Sequence, residues 1–344
     1  MKLKKILAVI LIVVAMLPVQ ASAFFDICQE DTFKFGVGPE TQGYTIDYRY
    51  YSPVKKVDNT KYPLVIWLHG MGNGGYDGQQ IETNNIENWT KYRYQRRFKD
   101  SAGAFILVPR SLEEEKLYWD DKLIYPLRAT IDSFIQEHKD NIDLQRIYVG
   151  GYSMGGKMTL KLAVAYPEMF AAIFPVCPAW IPGEEATVYL KDIPVWLTSG
   201  AKDPLVNYYA YLLPTWDNIV LQSNNPKNCR LSTLMVTLRP NGRPILNAHE
   251  SWHSVTNDMF SMLNFDYPMM KTQDGLGRKV NLTYPDGMIS WLSGFRSDYD
   301  GAKGEDCADW NALKSDGRAK GLDSIGVFFK NCIRYRFYAL DITR

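Results

Sequence analysis

The stretch that decides the fold is IYVGGYSMGG, residues 147–156 of the 344-residue chain. Its apolar start predicts a short buried strand, and the residues that follow, up to Tyr166, predict a helix. The pentapeptide GYSMG has the pattern G-x-S-x-G, which is typical of a sharp turn from strand to helix; its glycines let neighbouring backbone pass close to the serine. We therefore expect Ser153 at the tip of a strand–turn–helix unit.

Similar apolar runs precede and follow this unit. Continuous runs predict buried strands, an alternating segment predicts a half-buried strand, and apolar residues at helical spacing predict a helix. In chain order the predicted elements are strands at 44–51, 64–68 and 104–108, a helix at 124–135, strands at 170–176, 194–197 and 231–238, and a last helix at 288–295. This alternation predicts an α/β fold with a mostly parallel central sheet flanked by helices. Residues 74–100 and 257–286 are expected to be long surface excursions.

Composition and charge exclude several classes of protein. With 46% apolar and 13% aromatic residues, the chain is typical of a packed globular protein and not of a disordered or collagen-like one. Lys and Arg number 39 against 38 Asp and Glu, which gives a formal charge of +1. Nucleic-acid binding depends on a strong positive charge, so no nucleic-acid partner is expected.

The N-terminus has the three parts of a secretory signal peptide. Residues 1–5 contain three lysines, residues 6–19 form a 14-residue run that is apolar apart from Pro18, and the residues ASA at 21–23 fit a cleavage site. A helix of that length covers about 21 Å, which is too short for the ~30 Å hydrocarbon core of a membrane. We expect a signal peptide at 1–23, a secreted or periplasmic protein, and no stable membrane span after cleavage.

The five cysteines do not follow the spacing of a zinc site or of a redox pair. Cys177 ends an apolar run and is expected to be a small buried hydrophobic residue. Cys307 and Cys332 lie in the same C-terminal segment and are the first candidates for a disulfide bridge, which export would permit. The cysteine pattern therefore predicts no metal site.

A nucleophilic serine needs a base, and the chain has four histidines. His69 follows a predicted strand. His138 follows the apolar face of a predicted helix, where a solvated surface position is the simplest expectation. His249 and His253 lie close together in the sequence, and either could reach Ser153.

The base in turn needs a carboxylate that fixes its tautomer and stabilises the imidazolium. Asp203 follows the predicted strand at 194–197, at the sheet edge where α/β proteins collect functional groups. The pair Asp203-Pro204 is also compatible with a simple helix start. The order Ser153, Asp203, His249 is the order of the triad in an α/β-hydrolase.

Acyl transfer also requires N–H donors for the developing oxyanion. The backbone of Met154, next to the serine, is the first candidate. The flexible loop HGMG at 69–72 supplies the second donor, which we place at Met71. His69 is expected to hold this loop in place.

Three aromatic residues are the predicted substrate contacts. Trp119 and Trp252, like Trp180 and Tyr208, lie in or near loops that should surround the cleft, where an aromatic acyl group or a sugar could stack on them. Tyr152 directly precedes Ser153. The alternative interpretation is that aromatic side chains in these loops only cover the core.

These motifs together resemble the secreted serine esterases of the α/β-hydrolase superfamily, near the group of polyhydroxybutyrate depolymerases, feruloyl esterases and related peptidase-like proteins. The resemblance extends over residues 44–295 and rests on LHGMG at 68–72, RIYVGGYSMGG at 146–156, YPEMFAA at 166–172 and HESW at 249–252. In such proteins the catalytic histidine precedes x-x-Trp, which favours His249 over His253. The resemblance implies a Ser-His-Asp triad, an ester bond as the target, and no metal or organic cofactor.

The chain departs from this family in two places. The segment between His249 and the last predicted helix is longer than usual, and the residues after Ser297 have no counterpart. We expect an α/β-hydrolase catalytic domain at 24–297 and a C-terminal extension at 298–344. The extension is expected to pack on the domain as an extra strand and helix; the alternative is a partly ordered appendage.

Three functional hypotheses follow from the sequence. The leading one is a secreted serine hydrolase that cleaves carboxylic esters through an acyl-enzyme, with small-molecule or polysaccharide-linked esters as substrates; feruloyl and acetyl esters of plant polysaccharide are the candidates. The second is a serine peptidase of the prolyl-oligopeptidase type, which would use the same triad on amides. The third is an inactive carbohydrate- or partner-binding protein on a hydrolase scaffold.

Overall fold

The computed structural model of the protein describes residues 33–53, 59–116, 118–239, 241–263, 269–283 and 285–301. The predicted signal peptide, the Cys307–Cys332 pair and all but the first four residues of the predicted C-terminal extension lie outside these ranges. In the described residues, no helix combines the length and apolar character that crossing a membrane requires.

A nine-stranded sheet forms the centre of the described structure, in the order β1-β2-β4-β3-β5-β6-β7-β8-β11. A separate two-stranded sheet pairs β9 with β10. The strands are β1 (Lys34–Val37), β2 (Asp47–Tyr51), β3 (Tyr62–Leu68), β4 (Phe105–Pro109), β5 (Ile142–Tyr152), β6 (Ala172–Val176), β7 (Trp196–Gly200), β8 (Arg230–Leu234), β9 (Thr237–Leu238), β10 (Pro244–Ile245) and β11 (Met270–Asp274).

The middle of the large sheet is parallel, from β4 through β8, and its two edges are antiparallel. Every residue of β3 and β4 is buried, as expected for strands covered on both faces. The predicted α/β fold with a mostly parallel sheet is therefore confirmed. Because parallel strands end at the same edge, the loops after β3, β5, β6 and β7 are brought together there.

Helices cover the sheet, and the two longest follow the pattern that the sequence predicts. The helices are α1 (Gln79–Glu82), α2 (Tyr92–Gln95), α3 (Ile124–Glu137), α4 (Met154–Ala165), α5 (Glu184–Thr187), α6 (Leu213–Gln222), α7 (Trp252–Thr256), α8 (Phe260–Leu263) and α9 (Met288–Leu292). Pro126 lies in the first turn of α3, where its missing N–H breaks no helical hydrogen bond.

The prediction that residues 74–100 form a surface excursion is wrong. Trp89 is fully buried, and its ring stacks on Phe174 of β6 with the centroids 5.6 Å apart. The predicted excursion at 257–286 is also part of the fold, since it contributes the antiparallel edge strand β11. Within it, the buried carboxylate of Asp258 pairs with Arg97 at 2.5 Å and accepts the N–H of Met288 at the start of α9.

The predicted strand at 231–238 is divided in the structure. The chain leaves the large sheet after Leu234, and β9 pairs with β10 in the small sheet. His138, expected at the solvated surface, is half-buried and packs edge-on against Phe134 with the centroids 4.5 Å apart.

Candidate active site

Ser153 occupies a strained turn between β5 and α4. Its backbone has φ 58° and ψ −112°, a conformation that side-chain-bearing residues rarely adopt. The flanking glycines make this turn possible, because a Cβ on Gly155 would lie 2.0 Å from the carbonyl oxygen of Leu68. A Cβ on Gly151 would lie 2.6 Å from the carbonyl oxygen of Gly155. The G-x-S-x-G pattern is therefore a requirement of local packing.

The structure brings Ser153, His249 and Asp203 into one hydrogen-bonded chain. His249 Nε2 lies 3.0 Å from Ser153 Oγ, and His249 Nδ1 lies 2.8 Å from Asp203 Oδ2. The three residues come from separate positions in the fold: the turn after β5, the loop after β7, and a 3₁₀ turn at Ala248–Ser251. All three are buried, with exposures of 8%, 4% and 3% for the serine, the histidine and the aspartate.

The loop around Asp203 fixes the direction of its carboxylate. Oδ1 accepts the backbone N–H groups of Leu205 and Val206 at 2.8 and 2.9 Å, which leaves Oδ2 to face the imidazole. Asn247 holds the backbone of His249 in place, because its side-chain oxygen accepts the N–H of His249 at 3.1 Å. Both partners are thus held in place before any substrate binds.

The surroundings of His249 favour its protonated form. Burial lowers the pKa of His249, but the neighbouring Cys177 and the hydrogen bond to Asp203 outweigh burial, so that the pKa of His249 is raised above its ordinary value. In the neutral ring, Nδ1–H donates to Asp203 and Nε2 is free to accept the hydroxyl proton of Ser153. This arrangement suits a group that takes up a proton during the reaction.

The predicted oxyanion donors lie on two neighbouring loops. Met154 is the first residue of α4, where the backbone N–H has no acceptor within the helix. Met71 lies in the turn after β3, in which the Asn73 N–H donates to the Gly70 carbonyl oxygen at 3.2 Å. The roles of the Met154 and Met71 N–H groups as oxyanion donors stay predictions.

His69 and Glu113 support the loop that carries Met71. The His69 ring is fully buried; Nδ1 lies 2.7 Å from the Gly70 carbonyl oxygen, and Nε2 accepts the Ser111 N–H at 3.0 Å. Burial lowers the pKa of His69 to about 4, so the ring is neutral and Nδ1–H is the donor to Gly70. The Glu113 carboxylate accepts the Gly72 N–H at 2.8 Å. These contacts support the predicted structural role of His69.

Trp119 does not line a cleft, contrary to the prediction that it contacts substrate. Its side chain is fully buried, and Nε1–H donates to the carbonyl oxygen of His69 at 2.9 Å. The indole also packs beside the imidazole of His69 with the centroids 5.3 Å apart. The residue therefore supports the loop after β3 from behind and offers no surface for stacking.

Tyr152 and Trp252 lie next to the hydrogen-bonded chain. The Tyr152 ring is half-buried and its centroid lies 5.0 Å from the His249 ring and 6.2 Å from the Trp252 ring. The ring of the alternative base, His253, stacks on Trp252 with the centroids 3.6 Å apart, and its Nε2 faces Glu250. Ser153 Oγ faces His249 instead. The geometry therefore favours His249 as the partner of the serine.

Sequence analysis missed the position of Cys177 in this site. The residue is buried, as expected, but its Sγ lies within 4.8 Å of ligand atoms of both Asp203 and His249. Cys177 directly follows β6, which lies in the sheet between the strands that lead to Ser153 and Asp203. The order of the strands in the sheet, with β6 between β5 and β7, is the information that would have placed Cys177 near this site.

Comparisons with known proteins match the chain to esterases. A family model described as phospholipase/carboxylesterase matches residues 111–234. A bifunctional acetylxylan esterase/xylanase of Neocallimastix patriciarum is 28% identical over 170 residues, which make up 48% of this chain and 23% of that protein. The solved structure of a thermostable esterase is 26% identical and has a TM-score of 0.56, covering 67% of this chain and 62% of that one.

The fold and these matches define the class of protein. The fold is of the α/β-hydrolase type, and the proteins that the chain resembles are esterases, in agreement with the resemblance seen in the sequence. The chain spans 23% of the length of the curated relative and 62% of the solved esterase.

Proposed function

We propose that the protein is a carboxylic ester hydrolase in which Ser153 is the nucleophile, His249 the general base and Asp203 the residue that orients it. The observation that carries the proposal is the continuous chain of hydrogen bonds from Ser153 Oγ through the imidazole to Asp203 Oδ2, at 3.0 and 2.8 Å. The esterase relatives support the choice of an ester over an amide as the scissile bond.

The proposed reaction has two halves. Ser153 Oγ attacks the ester carbonyl carbon while its proton passes to His249 Nε2, and the oxyanion is held by the N–H groups of Met154 and Met71. The tetrahedral intermediate collapses as His249 returns the proton to the leaving alcohol, which produces an acyl-serine. Water then attacks the acyl carbon with His249 as base, and the acid leaves as Ser153 regains its proton.

Asp203 has a definite part in this sequence. Its carboxylate keeps the histidine in the tautomer whose Nε2 lone pair faces the serine, and it stabilises the imidazolium that forms at each proton transfer. Because Asp203 is 3% exposed, this charge interaction is little screened by water.

For the substrate, we propose acetyl or feruloyl esters attached to plant polysaccharide. The relative described as an acetylxylan esterase/xylanase supports this class. Tyr152 is half-buried beside His249 and could contact the acyl or sugar group. We also propose that residues 1–23 direct export, which N-terminal sequencing of the mature protein tests directly.

The decisive experiment combines covalent labelling with a substrate panel. A fluorophosphonate probe should label wild type at Ser153, located by peptide mass spectrometry, and Ser153→Ala should lose both the label and the hydrolysis of p-nitrophenyl acetate. Ser290→Ala on α9 is a matched control that should keep both. Acetylated xylan, feruloylated arabinoxylan and aminoacyl amides then rank the substrates.

Three outcomes would contradict the proposal. Undiminished ester hydrolysis by Ser153→Ala would remove the serine as nucleophile. Preferential cleavage of the amides would favour the peptidase hypothesis, and an unlabelled, inactive wild type would favour the hypothesis of a binding protein.

A further inference from the structure

We propose that Cys177, His249 and Asp203 form an inhibitory binding site for a soft divalent cation such as Zn²⁺ or Cd²⁺. The inhibitory part of this inference rests on the proposed function, because the cation would occupy groups of the catalytic relay. The coordination itself does not depend on catalysis and can be tested without it.

The three side chains converge in a buried space. A thiol sulfur, an imidazole nitrogen and a carboxylate oxygen lie within 4.8 Å of one another, and all three residues are buried. In the part of the chain that the structure describes, this is the one group of three His, Cys, Asp or Glu residues with such spacing. Cys177 Sγ also approaches the His249 carbonyl oxygen at 3.6 Å, so the thiol is directed towards the histidine.

The backbone holds Cys177 in this place. Cys177 has φ 34°, in the left-handed region that residues with a side chain seldom occupy. Its N–H donates to the carbonyl oxygen of Thr198 in β7 at 2.8 Å, which ties the end of β6 to the neighbouring strand. The thiol is therefore fixed beside the loop that carries Asp203, and does not depend on a mobile surface segment.

The set of donors selects the kind of cation. Thiolate, imidazole and carboxylate are the ligands of Zn²⁺ and of softer ions, with Zn–S near 2.3 Å and Zn–N near 2.0–2.1 Å. Ca²⁺ and Mg²⁺ prefer sites made of oxygen ligands. Three protein ligands leave a fourth tetrahedral position for water or for the nearby hydroxyl of Ser153.

Coordination and catalysis would exclude each other. The cation displaces the proton of the Cys177 thiol, which leaves to solvent, and it takes a nitrogen lone pair of His249. The imidazole held in this way cannot both stay against Asp203 and accept the proton of Ser153. We therefore expect reversible inhibition that a chelator relieves.

Inhibition of the full-length esterase is the first measurement. Wild type and variants are titrated with ZnCl₂ and CdCl₂, and each rate is divided by the metal-free rate of the same protein. Cys177→Ala should raise the inhibitory concentration by at least about 10- to 100-fold, because losing a group that only supports a metal ligand already costs that much in affinity. Cys229→Ala is the matched control, since Cys229 is a buried free cysteine next to Ser223 and should leave the sensitivity unchanged.

Cobalt binding tests the site without any turnover. Ser153→Ala protein titrated with Co²⁺ should show the near-ultraviolet absorption of a cobalt thiolate, and Ser153→Ala/Cys177→Ala should lose it. If this absorption forms while wild type hydrolyses no ester, the metal site stands and the proposed function fails. Equal absorption in both proteins, or equal zinc inhibition of wild type and Cys177→Ala, would overturn the metal site.

Discussion

Lys161, on the helix α4 that begins after Ser153, forms a buried ion pair with Asp121. Lys161 Nζ lies 2.5 and 2.6 Å from the two carboxylate oxygens, and the lysine is fully buried. Burial lowers the pKa of Lys161 to about 8, although the negative charge of Asp121 acts to raise it. Asp121 is two residues from Trp119, whose indole N–H donates to the His69 carbonyl oxygen. The ion pair therefore connects α4 to the segment that supports the loop after β3.

Removing one partner of this pair should destabilise the protein strongly. Lys161→Met leaves the Asp121 carboxylate without its closest partner, and we expect a loss of about 3–5 kcal/mol in the free energy of unfolding, measured by urea denaturation. Lys161→Met/Asp121→Leu removes both charges and should recover most of the loss. Lys191→Met, at an exposed position directly after Leu190, serves as control. A double variant as unstable as Lys161→Met would contradict this account.

Glu113 should act as a positioning residue for the oxyanion loop. Glu113→Ala removes the acceptor of the Gly72 N–H, so we expect kcat to fall about tenfold or more while KM changes little, because the loss of a complete oxyanion donor costs about 10²–10³ in kcat. Glu113→Gln keeps an acceptor oxygen and should retain most of the activity. The neighbour Glu114 has a side chain that is 75% exposed, and Glu114→Ala is the matched control. Equal effects at both positions would argue against a role for Glu113.

The fold and the central residues of the site could be predicted because their signals are local and periodic. The runs at β3 and β4 are apolar throughout, β5 is apolar at residues 147–149 before its glycines, and parallel strands must end at a common edge. Residues that follow such strands, Ser153 and Asp203, are therefore expected to meet. The structure adds the distances that the sequence lacks.

Other elements carry no such signal. Strand β11, MKTQD, has no apolar run. It joins the sheet through backbone pairing with β8, and the hydroxyl of its buried Thr272 forms a hydrogen bond with that of Ser232 at 2.8 Å. Trp119 could not be placed from its sequence position, because its burial depends on a loop that folds back under His69. In both cases a long-range contact decides the structure.

The glycine two residues after Ser153 should tolerate no side chain. In Gly155→Ala the added Cβ would lie 2.0 Å from the carbonyl oxygen of Leu68, a backbone atom that cannot move without disturbing β3. We expect loss of activity and a lower melting temperature, measured by p-nitrophenyl acetate hydrolysis and circular dichroism. In Gly183→Ala the near atoms belong to the flexible end of Glu185, so this control should behave as wild type. A fully active, stable Gly155→Ala would show that the turn is less tightly packed than described.

The hydrogen bond between His249 and Asp203 predicts a pH dependence. His249 can accept a proton only when neutral, so kcat/KM should rise with pH through its pKa, which lies above the ordinary 6.5. Burial lowers this pKa, whereas Cys177 and Asp203 raise it, so Asp203→Asn should move the midpoint to lower pH. The same variant should lose about 10⁴ in kcat, because the asparagine no longer holds the reactive tautomer.

Because the pKa of His249 is raised to about 10, kcat/KM is measured over about pH 5–11, with exposed Asp217→Asn as control. The control should keep the wild-type midpoint, since its carboxylate lies on the outer face of α6 and not beside His249. A midpoint that stays the same in Asp203→Asn would mean that the carboxylate does not set the protonation of the base. It would also remove the physical reason for burying an aspartate behind this histidine.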